Sequence, residues 1–423
     1  MKKKNILIFP CGSEIGLDIH TCLKHSTYFQ LIGGSSVDDH GKFVYDKYIP
    51  NIPFVTSPDF ISKIKSVIKD FHIDAIYPAT DMAVTILKQI EDKLGCLVIA
   101  SPTETTEICL SKSKTYSILK DVVRVPKSFS VNDIKQYPVF IKPDIGHSSI
   151  GAEVVKSEAA LNHKLKSTSN CLILEYLPGE EYTVDCFTDR HGKLKYAAGR
   201  KRNRIRVGIS VNTTFVENQD EFIDFAQKIN TKIQFRGAWF YQVKRDVEGN
   251  LCLLEVASRI GGSSLLSYAK GINLPLLSIF DAFAYDVDIT PNNYEVELDR
   301  AFSSKYKIDI EFDTIYVDYD DCLILNQKSV NAELVHFLYE CLNRGKKIIL
   351  LSKHDGDLNA ELKMFRLQGL FDEIIHLPRD TKKQDYITAE KAIFIDDSFA
   401  ERNDILSSKH IPVFAPEMIN VLM

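Results

Sequence analysis

Short, almost wholly apolar runs recur along this chain, and each stops at a small, polar or charged residue. Asn5 to Phe9, Leu31 to Gly34, Asp74 to Pro78 and Leu97 to Ala100 are four of them. Runs this short and this uniformly apolar suit strands buried on both faces. Helical patterns lie between them, for example over residues 60–71, and a helix begins near Glu14. Strands alternating with helices predict a parallel α/β unit at the N-terminus. The turn Gly12-Ser-Glu-Ile-Gly16 lacks the GxG of a dinucleotide fingerprint. It reads as a tight strand-to-helix turn or as a weak dinucleotide signal.

One such unit does not use up 423 residues, a length that predicts two to four domains. The net charge of -5 gives no global basic footprint, so no nucleic-acid partner is expected. No run approaches the roughly 18 apolar residues that would span a bilayer. The start, MKKKNILIFPCG, has a basic stretch but too short an apolar core for a signal peptide, so a cytoplasmic protein is expected. The nine cysteines form no CxxC pair and indicate neither a disulfide framework nor a zinc site.

The stretch from about 106 to 305 carries more chemistry. Residues 137–143 read as a strand containing Lys142, followed by Gly146-His-Ser-Ser-Ile-Gly151 and a second strand over 152–155. A small-residue loop lets backbone N–H groups approach phosphate oxygens, and Lys142 adds a point charge. The glycine spacing is that of a Walker A loop, but Ala152 stands where its lysine belongs. The loop is therefore a plain hairpin turn or a phosphate cradle of another kind. Further on, strands over 238–244 and 251–257 flank a turn at Asp246 to Asn250. That hairpin points Gln242 and Glu255 to one place, with Arg259 four residues beyond.

Together these residues resemble the ATP-grasp ligases, in particular the branch like the carbamoyl-phosphate synthase large chain and related carboxylate–amine ligases. The resemblance covers about 1–305. It implies a Rossmann-like pre-ATP-grasp domain over 1–105 and an α+β ATP-grasp domain over 106–305. Ser111-Lys112 with Thr115, Tyr116 and Leu119 match the first nucleotide-lysine motif, with Ser111 where Asp is usual. Lys142 matches the second phosphate lysine, with Ser148 in the phosphate loop. Glu175 and Leu177 match the stretch whose backbone reads the adenine edge, and Glu181 matches the ribose-binding glutamate. Gln242 and Glu255 match the magnesium ligands, and Arg259 the arginine that holds the reacting carboxylate or acyl phosphate. The implied cofactors are ATP and Mg²⁺ (or Mn²⁺). The family's Glu-x-Asn-Pro-Arg is Glu255-Val-Ala257-Ser258-Arg259 here. Ala257 cannot ligate, so water or Ser258 would have to complete the shell of oxygens a hard cation wants.

Two features leave alternatives open. Arg200, Arg202, Arg204 and Arg206 recur at period two and would face one side of a strand. They are a solvated edge or a clamp for triphosphate or an anionic substrate, since arginine forks fit phosphate. Arg204, in the middle of the run, is taken as a nucleotide contact. Asp81 would cap the helix after the 75–80 strand or touch the amine partner.

A third segment begins near 312. Residues 314–317 read as a strand leading into Asp318-Tyr-Asp320-Asp321, residues 347–352 as a strand ending in Ser352, and residues 392–395 as one ending in Asp396-Asp397. Lys382-Lys383 lies between the last two. Carboxylates at the carboxyl ends of strands are where α/β sheets place their sites. This order resembles the haloacid dehalogenase-like (HAD) phosphohydrolases over about 312–423. The resemblance implies Asp318 as nucleophile, Asp320 as general acid/base, Ser352 as phosphate-binding hydroxyl and Lys383 as charge-stabilising lysine. It implies Mg²⁺ held by Asp318, Asp320 and Asp396. Only 34 residues separate Asp318 from Ser352, so a capless Rossmannoid domain is expected.

The fold expected is thus α/β multidomain, and the function bifunctional. An ADP-forming carboxylate–amine ligase working through an acyl phosphate is fused to a Mg²⁺-dependent phosphatase. The expected partners are a small-molecule carboxylate, an amine and a phosphate ester, with no membrane. A homodimer is in keeping with related ligases. Two alternatives stand beside this reading. One is a nucleotide-binding regulatory module that controls the phosphatase. The other is carboxyphosphate chemistry of the carbamoyl-phosphate-synthase kind.

Overall fold

The computed structural model describes residues 3–146, 150–167, 170–206, 208–302, 306 and 308–423. It divides into two units, Met1–Phe302 and Ser303–Met423.

The first unit opens with strands β1 (Lys4–Phe9), β2 (Phe29–Gly34), β3 (Tyr48–Ile49), β4 (Ala75–Pro78) and β5 (Leu97–Val98). They form a parallel sheet in the order β3-β2-β1-β4-β5. Helices α1 (Glu14–Leu23), α2 (Phe60–Asp70) and α3 (Asp81–Gln89) connect it, with a short α4 (Glu91–Leu94) before β5. The uniform apolarity of β1 has a direct cause. Ile6 and Ile8 pack into the layer of Ile15, Ile19 and Leu23 from α1. Leu7 and Phe9 pack into the opposite layer, with Phe60, Ile64, Val67 and Ile68 from α2. The strand order reverses beside β1, so the N-termini of α1 and α3 open at the carboxyl edge where such sheets bind ligands. Gly16 sits so close to the carbonyls of Pro10 and Cys11 that a Cβ there would lie 2.4 Å from the Cys11 oxygen. The glycine therefore lets α1 turn tightly off β1.

Helices α5 (Thr103–Leu110) and α6 (Lys112–Leu119) lead to a three-stranded antiparallel sheet. It is made of β6 (Val139–Pro143), β7 (Glu153–Val155) and β8 (Cys171–Glu175), with α7 (Glu158–Ser167) between the last two. A larger antiparallel sheet follows. Its strands are β9 (Glu181–Thr188), β10 (Leu194–Arg206), β11 (Ile209–Phe215), β12 (Gly237–Arg245), β13 (Leu251–Ala257) and β14 (Glu297–Asp299), ordered β13-β12-β9-β10-β11-β14. Helix α8 (Asp220–Lys232) buries Phe222, Phe225, Ala226 and Ile229 against it. Helices α9 (Leu265–Ala269) and α10 (Leu274–Ala282) follow β13.

The second unit is a parallel sheet of β15 (Thr314–Val317), β18 (Lys347–Ser352), β19 (Glu373–His376), β20 (Ala392–Ile395) and β21 (Val413–Phe414), ordered β19-β18-β15-β20-β21. A hairpin of β16 (Ile324–Leu325) and β17 (Ser329–Val330) follows β15. Helices α11 (Ala332–Asn343), α12 (Leu358–Met364) and α13 (Phe399–Lys409) complete it. Ile315 and Val317 face one core layer and Tyr316 the other, as a central strand requires. Among the described residues no helix is long and apolar enough to cross a membrane.

Candidate active sites

In the first unit two clefts, of about 500 and 320 Å³, share Gly146, Arg202, Gly208, Gln242 and Glu255 as lining residues. The smaller is walled also by Lys112, Lys142, Glu175, Leu177 and Glu181. The larger is walled by Glu14, Asp81, Arg200 and Arg259. The hairpin of β12 and β13 places Gln242 directly opposite Glu255. The register shifts immediately beyond, because Val243 pairs with Leu253, leaving Leu254 as the extra residue of a β-bulge. Its freed carbonyl accepts from Lys142 Nζ at 2.8 Å and from the Tyr116 hydroxyl at 2.6 Å. One inserted residue thus sets Gln242 across from Glu255 and anchors Lys142.

Lys112 Nζ donates to the carbonyls of Asp144 (3.3 Å) and Gly146 (3.1 Å). Both lysines are therefore held by neutral carbonyls, partners that phosphate oxygens can replace. Burial pushes Lys142 down to about 8, and the Lys112 charge pushes the same way against the pull of Glu255. Glu255 makes no hydrogen bond among the described residues, while Lys142, Arg202 and Arg259 all feel its charge. A carboxylate without a hydrogen-bond partner on a shared wall, facing an amide oxygen donor, suits a hard cation. Ala257, opposite Phe240, is buried and adds no ligand.

Other positions were not legible in the sequence. Glu175 spends its side chain on a two-pronged pair with Arg124 (2.8 and 3.1 Å) and on the Lys127 N–H, and its own N–H on the Lys127 carbonyl, so only its carbonyl is left to face a ligand. Ser111 caps α6 and bonds Asp144, whose other oxygen takes the Ser113 N–H at 2.7 Å. A carboxylate therefore does stand at the start of the lysine helix, contributed by the end of β6. Ser148 lies outside the described residues.

Two expectations are corrected by the geometry. The four arginines do not face one side, because register shifts around Arg204 break the alternation of β10. Arg200 is buried against Asp185 and the Gly262 carbonyl. Arg202 bonds Glu181 and the Gly208 carbonyl, both at 2.6 Å, on the wall between the clefts. Arg204 is 59% exposed, pairs with Asp299 and lines neither cleft. Asp81 is not the cap of α3. Thr80 is, through the Ala83 N–H. Asp81 instead grips Arg259 with both oxygens, at 2.8 and 2.7 Å.

A family model described as "ATP-grasp in the biosynthetic pathway with Ter operon" matches residues 167–300. The D-alanine–D-alanine ligase of Fusobacterium nucleatum is 31% identical over 216 residues, 47% of this chain and 71% of that enzyme. The chain belongs to the ATP-grasp family. The same-named enzyme of Thermotoga petrophila is 30% identical over 115 residues, 25% of this chain, and the match spans only 38% of that enzyme's length. Among solved structures, the biotin carboxylase domain of Hydrogenobacter thermophilus 2-oxoglutarate carboxylase, solved with MgADP, ADP and bicarbonate, superposes with a TM-score of 0.58. It is 16% identical and covers 69% of this chain and 72% of that one, so it speaks for the ATP-grasp fold alone.

The second unit gathers a separate cluster outside that fold. Asp318 follows β15, Asp396 follows β20 and Ser352 ends β18, all at the carboxyl edge of the sheet. Lys383 Nζ bridges Asp318 and Asp396, at 2.6 Å to each, with all three buried. Burial alone would lower the lysine, but the two carboxylates outweigh it and hold the lysine up. Burial, with Asp318 beside it, pushes Asp396 up to about 7. Asp318, Asp396 and Asp397 bring one oxygen each within 4.8 Å of one another, the one acidic group of this kind among the described residues. Asp320, expected with Asp318 and Asp396 as a ligand, is not in this group, and Asp397 is. The chain has left the strand by Asp320, and His354 Nδ1 engages both Asp320 oxygens, at 3.1 and 2.9 Å. The other nitrogen of His354 meets Glu361 at 3.0 Å, and the Tyr319 hydroxyl donates to the same carboxylate at 2.9 Å. Burial alone would lower His354, but Asp320 and Glu361 raise it.

Proposed function

We propose that the first unit is an ADP-forming carboxylate–amine ligase. The observation that carries this reading is the shared wall. Gln242 and Glu255 stand between a cleft holding Lys112 and Lys142 and a cleft holding Arg259. D-alanine–D-alanine ligases among the relatives support it, as does the nucleotide-bound biotin carboxylase domain. In this reading ATP lies in the smaller cleft, with the Glu175–Leu177 backbone at the adenine edge and Glu181 at the ribose. Lys112 and Lys142 exchange their carbonyl partners for phosphate oxygens. Gln242 and Glu255 would hold Mg²⁺ (or Mn²⁺), which offsets charge on the terminal phosphates. Arg259 orients a substrate carboxylate so that its oxygen attacks the γ-phosphorus. The bond from that phosphorus to the β–γ bridging oxygen breaks and ADP leaves. The amine nitrogen then attacks the acyl carbon, phosphate departs with its oxygen, and the nitrogen sheds a proton. Holding these reactants in line is the enzyme's main contribution to such a transfer. The division into 1–105 and 106–305 belongs to the same proposal.

The test is ADP release from Mg·ATP against amino acids and organic acids, singly and in pairs, with free phosphate followed separately. Release that needs two substrates and vanishes in Glu255→Ala is expected. ATP binding with no ADP from any pair overturns the ligase reading.

A second reading concerns the other unit and rests on the Lys383-bridged acids. We propose a HAD-like, Mg²⁺-dependent phosphatase over 312–423, fused to the ligase. Asp318 attacks the phosphorus of a phosphate ester, the ester P–O bond breaks, and Asp320 protonates the leaving alcohol. Asp320 then takes a proton from the water that attacks the aspartyl phosphate and frees inorganic phosphate. Ser352 and Lys383 hold the phosphoryl oxygens. Asp318, Asp396 and Asp397 would hold Mg²⁺, which offsets repulsion between the nucleophile and the phosphate. Turnover of a generic aryl phosphate, lost in Asp318→Asn, is expected. Equal turnover in both proteins removes the reading.

A further inference from the structure

The larger cleft carries its own carboxylate on the arginine that a substrate carboxylate should occupy. Asp81 Oδ1 meets Arg259 Nε at 2.8 Å and Asp81 Oδ2 meets Nη2 at 2.7 Å. This is the two-pronged side-on grip that a guanidinium gives any carboxylate. Arg259 Nη1 is already turned to the Ile260 carbonyl at 3.0 Å, and the guanidinium lies over the Phe240 ring. The edge held by Asp81 is therefore the pronged edge left to a ligand. Helix capping does not account for this arrangement, because Thr80 caps α3. The two partners are 178 residues apart and both line the cleft.

We infer that Asp81 is a resident stand-in for the substrate carboxylate. It holds Arg259 in place while the cleft lacks an acid and is displaced when one binds. The inference rests on the ligase reading of this cleft and deepens it, since it makes Asp81 a positioning residue for Arg259. It also carries a chemical consequence. An arginine freed of Asp81 would attract phosphate oxygens before the acid arrives, so ATP would be hydrolysed by water without ligation. The substrate must present a carboxylate or an equally forked anion, because a single-pronged ligand does not match what Asp81 gives up.

The experiment is chemical labelling of Arg259 by a phenylglyoxal reagent, mapped by peptide mass, with acetate as protecting carboxylate. Wild type is compared with Asp81→Asn and Asp81→Glu, each checked for native circular dichroism. A binding edge blocked by a resident group weakens apparent affinity by the fraction of time it is blocked. The acetate midpoint for protection should therefore fall at least about tenfold in Asp81→Asn. Asp81→Glu should return it towards wild type, and unprotected labelling should be faster in Asp81→Asn. An unchanged or higher midpoint in Asp81→Asn overturns the inference, because Asp81 would then only brace Arg259. If Asp81→Asn misfolds, Asp81→Ser is read the same way. This readout needs no turnover. An ADP panel that fails therefore sinks the ligase reading, while labelling decides Asp81 separately.

Discussion

The lysines of the two candidate sites are held in opposite ways. In the first, Lys112 and Lys142 are held by backbone carbonyls and the Glu255 side chain by no hydrogen bond among the described residues, around clefts of about 320 and 500 Å³. In the second, one lysine is committed to two carboxylates at 2.6 Å within a closed cluster. Carbonyl partners can be exchanged for ligand oxygens without stranding a charge. A buried lysine between two carboxylates cannot lose a partner so cheaply. The first arrangement suits a large polyanionic ligand that enters and leaves. The second suits a small fixed centre in which a phosphoryl group meets charges already in place. Function and stability should therefore separate in the first unit and travel together in the second.

That contrast is open to attack, and the harshest test is Lys383→Met. It strands Asp318 and Asp396 and should destabilise the second unit by about 3–5 kcal/mol. A thermal or urea unfolding curve in which only that unit's transition moves is expected, and an unmoved transition would erase the contrast. Glu255→Ala should lower ADP release by roughly a hundredfold or more, the scale for losing one charge-stabilising group. Its melting point should change little, since its side chain makes no hydrogen bond among the described residues. A large drop in melting point would show that the first unit, too, ties charge to stability. His354→Ala should slow aryl-phosphate turnover by about tenfold, part of what a positioned acid/base supplies. His354→Asn should recover some of it by donating one hydrogen bond to Asp320. Equal rates in all three proteins would mean that Asp320 needs no such brace.

The smallest effect concerns pH. Burial pushes Lys142 down to about 8 in the folded chain, from the 10.5 of an ordinary lysine. Between those values the unfolded chain binds more protons, so this residue makes the ligand-free unit more stable as pH rises. Nucleotide binding runs the other way, because the phosphate wants the charged lysine. Affinity for Mg·ATP, followed by calorimetry, should decline above about pH 8. Lys142→Arg should flatten that decline, and a wild-type profile already flat to pH 10 would assign the phosphate to other groups.

What the sequence disclosed follows from the range of each interaction. The strands of both parallel sheets were readable because burial on both faces leaves a continuous apolar run, as at Ile6 to Phe9 and Ile348 to Leu351. The Gln242–Glu255 pairing was readable because a hairpin is local. The fate of Arg204 was not, since the irregularity of β10 leaves no mark on the period of its side chains. Partners far apart in the chain were equally hidden. Arg259 finds Asp81, Arg124 finds Glu175 and Asp320 finds His354 only once the sheets are assembled. Ser111 shows the same limit from another side. The acid missing before Lys112 is provided by Asp144, 33 residues downstream of Ser111.

The extra residue in β13 has a consequence for how such a chain tolerates change. Leu254 contributes its carbonyl to Lys142 and Tyr116 and, by its presence, sets Glu255 across from Gln242. None of this depends on the leucine side chain. Substitution at 254 leaves this backbone arrangement in place as long as length is kept, although the residue also lines the smaller cleft, while loss of a single codon there would unseat Lys142 and Glu255 together. Part of this site is specified by counting rather than by chemistry, and comparisons that weigh only residue identity pass over it.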